Sequence, residues 1–165
     1  MANKIKNALI SVSDKGSLKD LLKVLKKNNV NIISSGGTYK SIKKLGFKCK
    51  EISEFTQTKE MLDGRVKTLH PKIHSGILFN RSKKKHRKEM LQNKFDPIDL
   101  VVVNFYPFEE TLKRTKNHNK LVENIDIGGP TLVRAAAKNY NFTTVLTSPH
   151  QYKEFILDIE KNKGS

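Results

Sequence analysis

The chain has 165 residues, a hydrophobic share of 36% and a formal net charge of +16. That length suits one domain with a full-sized core, and no apolar run is long enough to cross a bilayer. A single cysteine, Cys49, excludes an internal disulfide framework and a cysteine-built metal site, and fits a reducing, cytoplasmic compartment. Nucleic acid is not the expected partner, because Arg65, Arg81, Arg87, Arg114 and Arg134 are the only arginines and lysine supplies the rest of the charge.

Ala8 to Val12 is a short apolar run suited to a buried first strand. A polar turn follows. Leu18, Leu21, Leu22 and Leu25 then recur at helical spacing, with Ser17 placed to cap the helix and Asp20 three residues on. Asn31 to Ser34 reads as a second strand that feeds Ser35-Gly36-Gly37-Thr38 and a helix stopped at Gly46. Phe47 to Ile52 reads as a third, shorter strand. From Glu54 to Ser75 a long functional loop is expected, with a short helix over Glu60 to Asp63, and Ile73 to Phe79 is read as extended. The basic run Lys83-Lys84-Lys85-His86-Arg87-Lys88 opens a helix from about Lys84 to Gln92 and lacks the interleaved aromatics of an RNA site. Leu100 to Val103 is the clearest buried strand. A helix from Pro130 to Lys138, a strand from Thr143 to Leu146 and a helix from about Pro149 to Lys161 complete the pattern. Alternation of this kind predicts one doubly wound α/β domain with a mostly parallel sheet and helices on both faces.

In such sheets ligands bind at the carboxyl ends of strands, and helix N-termini favour phosphate. Ser13, Lys15, Ser35, Gly36, Gly37 and Thr38 form a candidate phosphate cradle on two strand-to-helix turns. No Walker A or dinucleotide fingerprint is present, so a monoester phosphate is expected. Arg65 and Lys67 lie two apart, which in an extended loop aims both cations to one side. His70 and His74 have metal-like spacing, but Pro71 between them argues against a helix, and no metal is expected. Asn104 and Tyr106 follow the strongest strand and are candidates for a ring amide and a carbonyl oxygen. Phe105 and Phe108 read as packing residues. Asp126, before Gly128-Gly129-Pro130, suits a helix cap, and the glycines suit an oxyanion hole.

Four segments carry a resemblance: Gly64-Arg65-Val66-Lys67-Thr68-Leu69-His70-Pro71, Asn104-Phe105-Tyr106-Pro107-Phe108, Ile125-Asp126-Ile127-Gly128-Gly129 and Arg134-Ala135-Ala136-Ala137-Lys138-Asn139. With Ser11-Val12-Ser13-Asp14-Lys15 and Ser35-Gly36-Gly37-Thr38, they closely resemble the inosine monophosphate cyclohydrolase domain. That domain is the N-terminal part of a bifunctional purine-biosynthesis enzyme that also carries a formyltransferase domain. The resemblance implies a methylglyoxal-synthase-like three-layer fold and a homodimer. It also implies ring closure of 5-formamidoimidazole-4-carboxamide ribonucleotide to inosine monophosphate without a cofactor. By the same resemblance Lys67, Tyr106, Asp126 and Lys138 take the catalytic positions. Arg65, Thr68, Asn104 and the backbone of Ile127 and Gly128 join the cradle in binding substrate. Asp126 assisted by Lys138 would take a proton, while Lys67 and Tyr106 would serve the formyl oxygen. The chain departs from the family pattern at Lys15-Gly16-Ser17, at Gln57-Thr58-Lys59 and at Tyr140. Its end at Gly164-Ser165 falls before the family's domain usually finishes, so a domain cut short, without the formyltransferase part, is the expectation. A purine-nucleotide-binding regulatory module of the same fold is the alternative.

Overall fold

The structure, a computed structural model, describes residues 4–164. β1 (Asn7–Val12) leads to α1 (Leu18–Lys27), β2 (Asn31–Ser34) and α2 (Gly36–Lys44). Next come β3 (Lys50–Glu51), α3 (Ile52–Thr56), α4 (Pro71–Leu78), α5 (Lys84–Gln92) and β4 (Leu100–Asn104). α6 (Phe108–Arg114), α7 (His118–Glu123) and α8 (Gly128–Lys138) precede β5 (Thr144–Leu146), a 3-10 turn at Pro149–Gln151 and α9 (Tyr152–Lys161).

The strands form one five-stranded sheet in the order β3-β2-β1-β4-β5, with every pairing parallel. Strand residues alternate between faces, and both faces here are covered, which is why the central strands are apolar throughout. On one face Ala8, Ile10, Val12, Leu100 and Val102 pack against α1, Ile42 of α2, and Tyr152 and Ile159 of α9. On the other, Leu9, Val101 and Val103 meet Phe55, Ile73, Ile77, Leu132, Ala135 and Ala136 from α3, α4 and α8. The expected three-layer α/β architecture is the one observed. At the amino end of the sheet, buried Asp99 fixes the register. Its Oδ2 accepts the Lys6 and Asn7 N–H groups at 2.7 and 2.8 Å, and its Oδ1 pairs with Arg81 at 2.6 Å.

Several local expectations need correction. Ser17 precedes α1 with φ 56° and gives it no side-chain cap, while Asp20 pairs with Lys23 at 2.9 Å instead of completing a box. Residues 60–63 are not a helix. Met61 bridges Val66 antiparallel, and the intervening turn has positive φ at Leu62, Asp63 and Gly64, with the Arg65 N–H donating to the Leu62 carbonyl at 3.0 Å across Asp63-Gly64. That is the type I′ geometry of tight hairpins. The segment 73–78 is not extended but belongs to α4, and only Phe79, its C-cap, is extended. Pro71 sits in its first turn, where a missing N–H costs nothing, and the His70 ring nitrogen Nδ1 accepts the Lys72 N–H at 3.1 Å. The third strand shrinks to two residues. α6 and α7 are helices the sequence reading did not anticipate.

Candidate functional site

The strand order reverses direction between β1 and β4, so the crevice of a doubly wound sheet opens beyond Val12 and Asn104. Asn104 spans that gap. Its Oδ1 accepts from the Ser13 N–H at 2.7 Å, the Asp14 N–H at 2.9 Å and the Ser13 hydroxyl at 3.2 Å. Its Nδ2 donates to the Asp14 carbonyl at 2.8 Å. Both ends of the amide are therefore engaged within the chain, and the expected contact of Asn104 with a ring amide gives way to a role in shaping the β1–α1 loop. Tyr152 supports this clasp from beneath. Burial pushes its hydroxyl up to about 12, with the Asn104 amide drawing it back only slightly. Ser13 also donates to the Phe105 carbonyl at 2.8 Å, and Lys15 turns back to the Ser13 carbonyl at 3.1 Å.

Thr38 is corrected in the same way. Its buried hydroxyl accepts the Val12 N–H at 3.1 Å and donates to the Val12 carbonyl at 2.9 Å, so it closes the end of β1. The remaining cradle residues, Ser35, Gly36 and Gly37, stand at the start of α2, where Ser35 makes no side-chain cap.

The Met61–Val66 hairpin carries Lys67 to this helix terminus. A Cβ built on Gly36 would lie 3.8 Å from Lys67 Nζ, and one on Gly64 only 2.7 Å from it. Gly64, at φ +86°, thus serves both a left-handed turn and the close passage of the lysine. The Lys67 ammonium pairs with Glu60 at 3.0 Å. The next residue, Thr68, is buried and reaches α8, where a Cβ on Gly128 would meet its Oγ1 at 2.6 Å. Only glycine admits that approach. One dipeptide, Lys67-Thr68, therefore lies between the N-termini of α2 and α8.

Asp126 caps α8 from outside, its Oδ1 accepting the Gly129 N–H at 2.8 Å. Pro130 has no N–H, which leaves the N–H groups of Ile127 and Gly128 as first-turn donors without a partner among the described residues. The half-buried carboxylate and these two donors occupy one corner.

Other expected residues stand apart. Arg65 points to Glu123 on α7, which holds its guanidinium above the usual range, and both side chains are exposed. Tyr106 lies just past β4 with its side chain exposed. Phe105 and Phe108 are exposed as well, so they do not form the internal packing cluster expected of them. Lys138 ends α8, an unbroken helix of 11 residues, about 15 Å along the axis from Gly128. That separation exceeds the reach of a lysine side chain and excludes assistance to Asp126 within one chain. His70 and His74 do share a helix start, contrary to the reading of Pro71, but His70 is engaged on both nitrogens, by the Lys72 N–H and by Thr58 Oγ1 at 3.2 Å. His74 is drawn below its ordinary value by burial, opposed by a hydrogen bond to the Thr68 backbone. Among the described residues no group of three His, Cys, Asp or Glu side chains is arranged to hold a metal ion.

Glu60 and Glu123, the counter-ions of the two cations, escaped the sequence reading. The signal was present: Asp63-Gly64 between Met61 and Val66 is a hairpin turn pair, and its register places Glu60 opposite Lys67.

A five-stranded parallel sheet whose order reverses between β1 and β4 places this chain among α/β domains, and the comparisons define which. The model of the MGS-like domain family matches residues 17–131, and the chain belongs to that family. It is 50% identical over 157 residues to the bifunctional purine biosynthesis protein PurH of Clostridium perfringens, a match covering 95% of this chain and 31% of that protein. The PurH of Bradyrhizobium diazoefficiens is 46% identical over 162 residues, covering 98% and 31%. The chain thus spans about a third of the length of these relatives, and the resemblance read from its motifs is borne out. The crystal structure of ForH superposes with a TM-score of 0.85 at 28% identity, covering 98% of this chain and 83% of that one.

Proposed function

We infer that the domain serves purine biosynthesis by closing the second purine ring, converting 5-formamidoimidazole-4-carboxamide ribonucleotide to inosine monophosphate with loss of water. The observation that carries this reading is the Lys67-Thr68 segment, which joins an uncapped helix start at Gly36 to the Asp126–Gly128 corner. A phosphomonoester fits the first and a reacting amide the second. The ribonucleotide phosphate is received by the N–H groups at Ser35, Gly36 and Gly37, with Ser13 and Lys15 on the adjoining loop and Arg65 released from Glu123. The carboxamide nitrogen attacks the formyl carbon while the free oxygen of Asp126 takes its proton, since an amide nitrogen is a poor nucleophile. Ile127 and Gly128 N–H groups bind the carboxamide oxygen, and Lys67 with Tyr106 bind the formyl oxygen as it becomes negative; it leaves as water with one proton from the carboxamide nitrogen, passed through Asp126, and one from the formamide nitrogen. None of these steps requires a cofactor.

A homodimer completes this reading. α6 and α7 bury no residue among those described, and Phe105, Tyr106, Phe108, Leu112, Val122, Ile125 and Ile127 are exposed along them and beside them. A second copy covering that face would shield the site and bring Lys138 of one chain to Asp126 of the other. In the relatives' longer chains the domain would work beside a formyltransferase domain in the cytoplasm. No helix of the described residues is long and apolar enough to cross a membrane.

The direct test is to incubate the purified chain with the formamido ribonucleotide and follow inosine monophosphate; steady turnover supports the reading. Two observations favour a second reading, a purine-nucleotide-binding module: Lys138 is remote, and Lys67 is already paired with Glu60. Tight binding of inosine monophosphate without turnover would select it.

A further inference from the structure

The hairpin register places Glu60 directly across from Lys67, immediately outside the Met61–Val66 bridge. Their side chains meet at 3.0 Å. Gly64 lies against the lysine from within the hairpin, and a Cβ added to Gly36, at the start of α2, would lie 3.8 Å from its Nζ. Backbone thus flanks the ammonium on two sides, and Glu60 holds a third. The two partners differ in freedom: the Lys67 side chain is 30% exposed and that of Glu60 60%. The lysine is held in place while the glutamate is free to turn into solvent.

We propose that Glu60 is an internal competitor for the site's anionic ligand: its carboxylate occupies Lys67 until an anionic oxygen of the ligand displaces it. This rests on the reading that the start of α2, beside Lys67, receives the ligand's phosphate. Partly exposed ion pairs are weak, and the start of α2 adds helix-dipole attraction for an arriving anion that Glu60, tethered across the hairpin, does not gain. Exchange of one carboxylate for a better placed oxygen is therefore favourable. A singly charged ion such as chloride, which brings one charge and no array of acceptors, is poorly suited to displace it. Glu60 would set a threshold for which anions enter. The displacing oxygen is one of the phosphate's, because inosine monophosphate has lost the formyl oxygen and its ring carbonyl carries no charge.

Calorimetric titration of the chain with inosine monophosphate and, separately, with inorganic phosphate tests this in four proteins: wild type, Glu60→Gln, Lys67→Ala and the double variant. Glutamine keeps the length and the acceptor of the hairpin contact while removing the charge, and thermal melts of all four report folding. Glu60→Gln should bind inosine monophosphate about two- to fivefold more tightly, the range expected for removing one such ion pair. In the Lys67→Ala background the same substitution should give no gain. A parallel gain with inorganic phosphate shows that the phosphate alone displaces Glu60, and a gain confined to the nucleotide shows that the phosphate does so only when the rest of the nucleotide holds it in place. Unchanged or weaker binding by Glu60→Gln overturns the proposal, as does an equal gain without Lys67, which would mean general repulsion. Wild-type binding by Lys67→Ala would instead remove Lys67 from the site and take both readings with it.

Discussion

Asp126 has two tasks for one carboxylate: Oδ1 caps α8 through the Gly129 N–H, and the other oxygen is assigned to the reacting amide. Asparagine separates them, because it caps helices about as well as aspartate but is no base. Asp126→Asn should change stability by only about 0.5 kcal/mol, while loss of a general base should lower ring closure roughly 10²–10⁴-fold. A melt and a progress curve of inosine monophosphate measure both, and turnover within tenfold of wild type would place the base elsewhere. His74 gives a second residue-scale prediction, through pH. Burial lowers its folded-state value below that of the unfolded chain, about 6.5. Between those values the unfolded chain binds more protons, so the native state keeps its full margin above about 6.5 and loses it as pH falls through the folded value. The melting temperature should therefore drop more between pH 7.5 and pH 5 in wild type than in His74→Gln, and parallel curves would refute it. Lys67 and Asp126 stand out in the sequence because short motifs carry them. Asn104 was misread because its partners, Ser13 and Asp14, lie 91 and 90 residues away, where local pattern has no reach.

Elements buried on both faces announce themselves, and those that are not stay silent. β4 reads directly from Leu100 to Val103 because all four are buried, and α1 reads from its leucines because one stripe faces the sheet. α6 and α7 lack any buried residue, so no apolar stripe marks them, and α4 was obscured by a proline whose place in the first turn favours rather than breaks a helix. The hairpin is the element on which the proposed site depends most. Its left-handed turn carries Gly64 at φ +86°, and a Cβ there would strike the Lys67 side chain. Gly64→Ala should cost about 1–2 kcal/mol from backbone strain alone. Displacement of Lys67 should lower ring closure far beyond what so modest a loss of stability explains. Ring closure unchanged in a variant that melts lower would show that the hairpin tolerates the methyl and that Lys67 is not held as described.

At the scale of the whole molecule, one chain does not assemble the four groups assigned to catalysis. α8 is rigid and continuous, so Asp126 at its start and Lys138 at its end cannot share a site unless two chains meet. The exposed apolar residues around α6 and α7 supply a face for such a meeting. In a two-fold dimer each site would take Asp126 from one chain and Lys138 from the other, which makes mixing experiments decisive. Asp126→Asn and Lys138→Ala chains should each be nearly inactive alone. Mixed in equal amounts and allowed to exchange, half of the dimers are hybrids, and each hybrid has one site with both native groups and one with neither. Activity should therefore recover to about a quarter of the wild-type value. Recovery should also require exchange, and vanish when each variant is cross-linked before mixing. A mixture no more active than the sum of its parts would exclude a site shared between chains, and a Lys138→Ala chain active on its own would leave Lys138 outside catalysis, with Asp126 acting alone at the head of its helix.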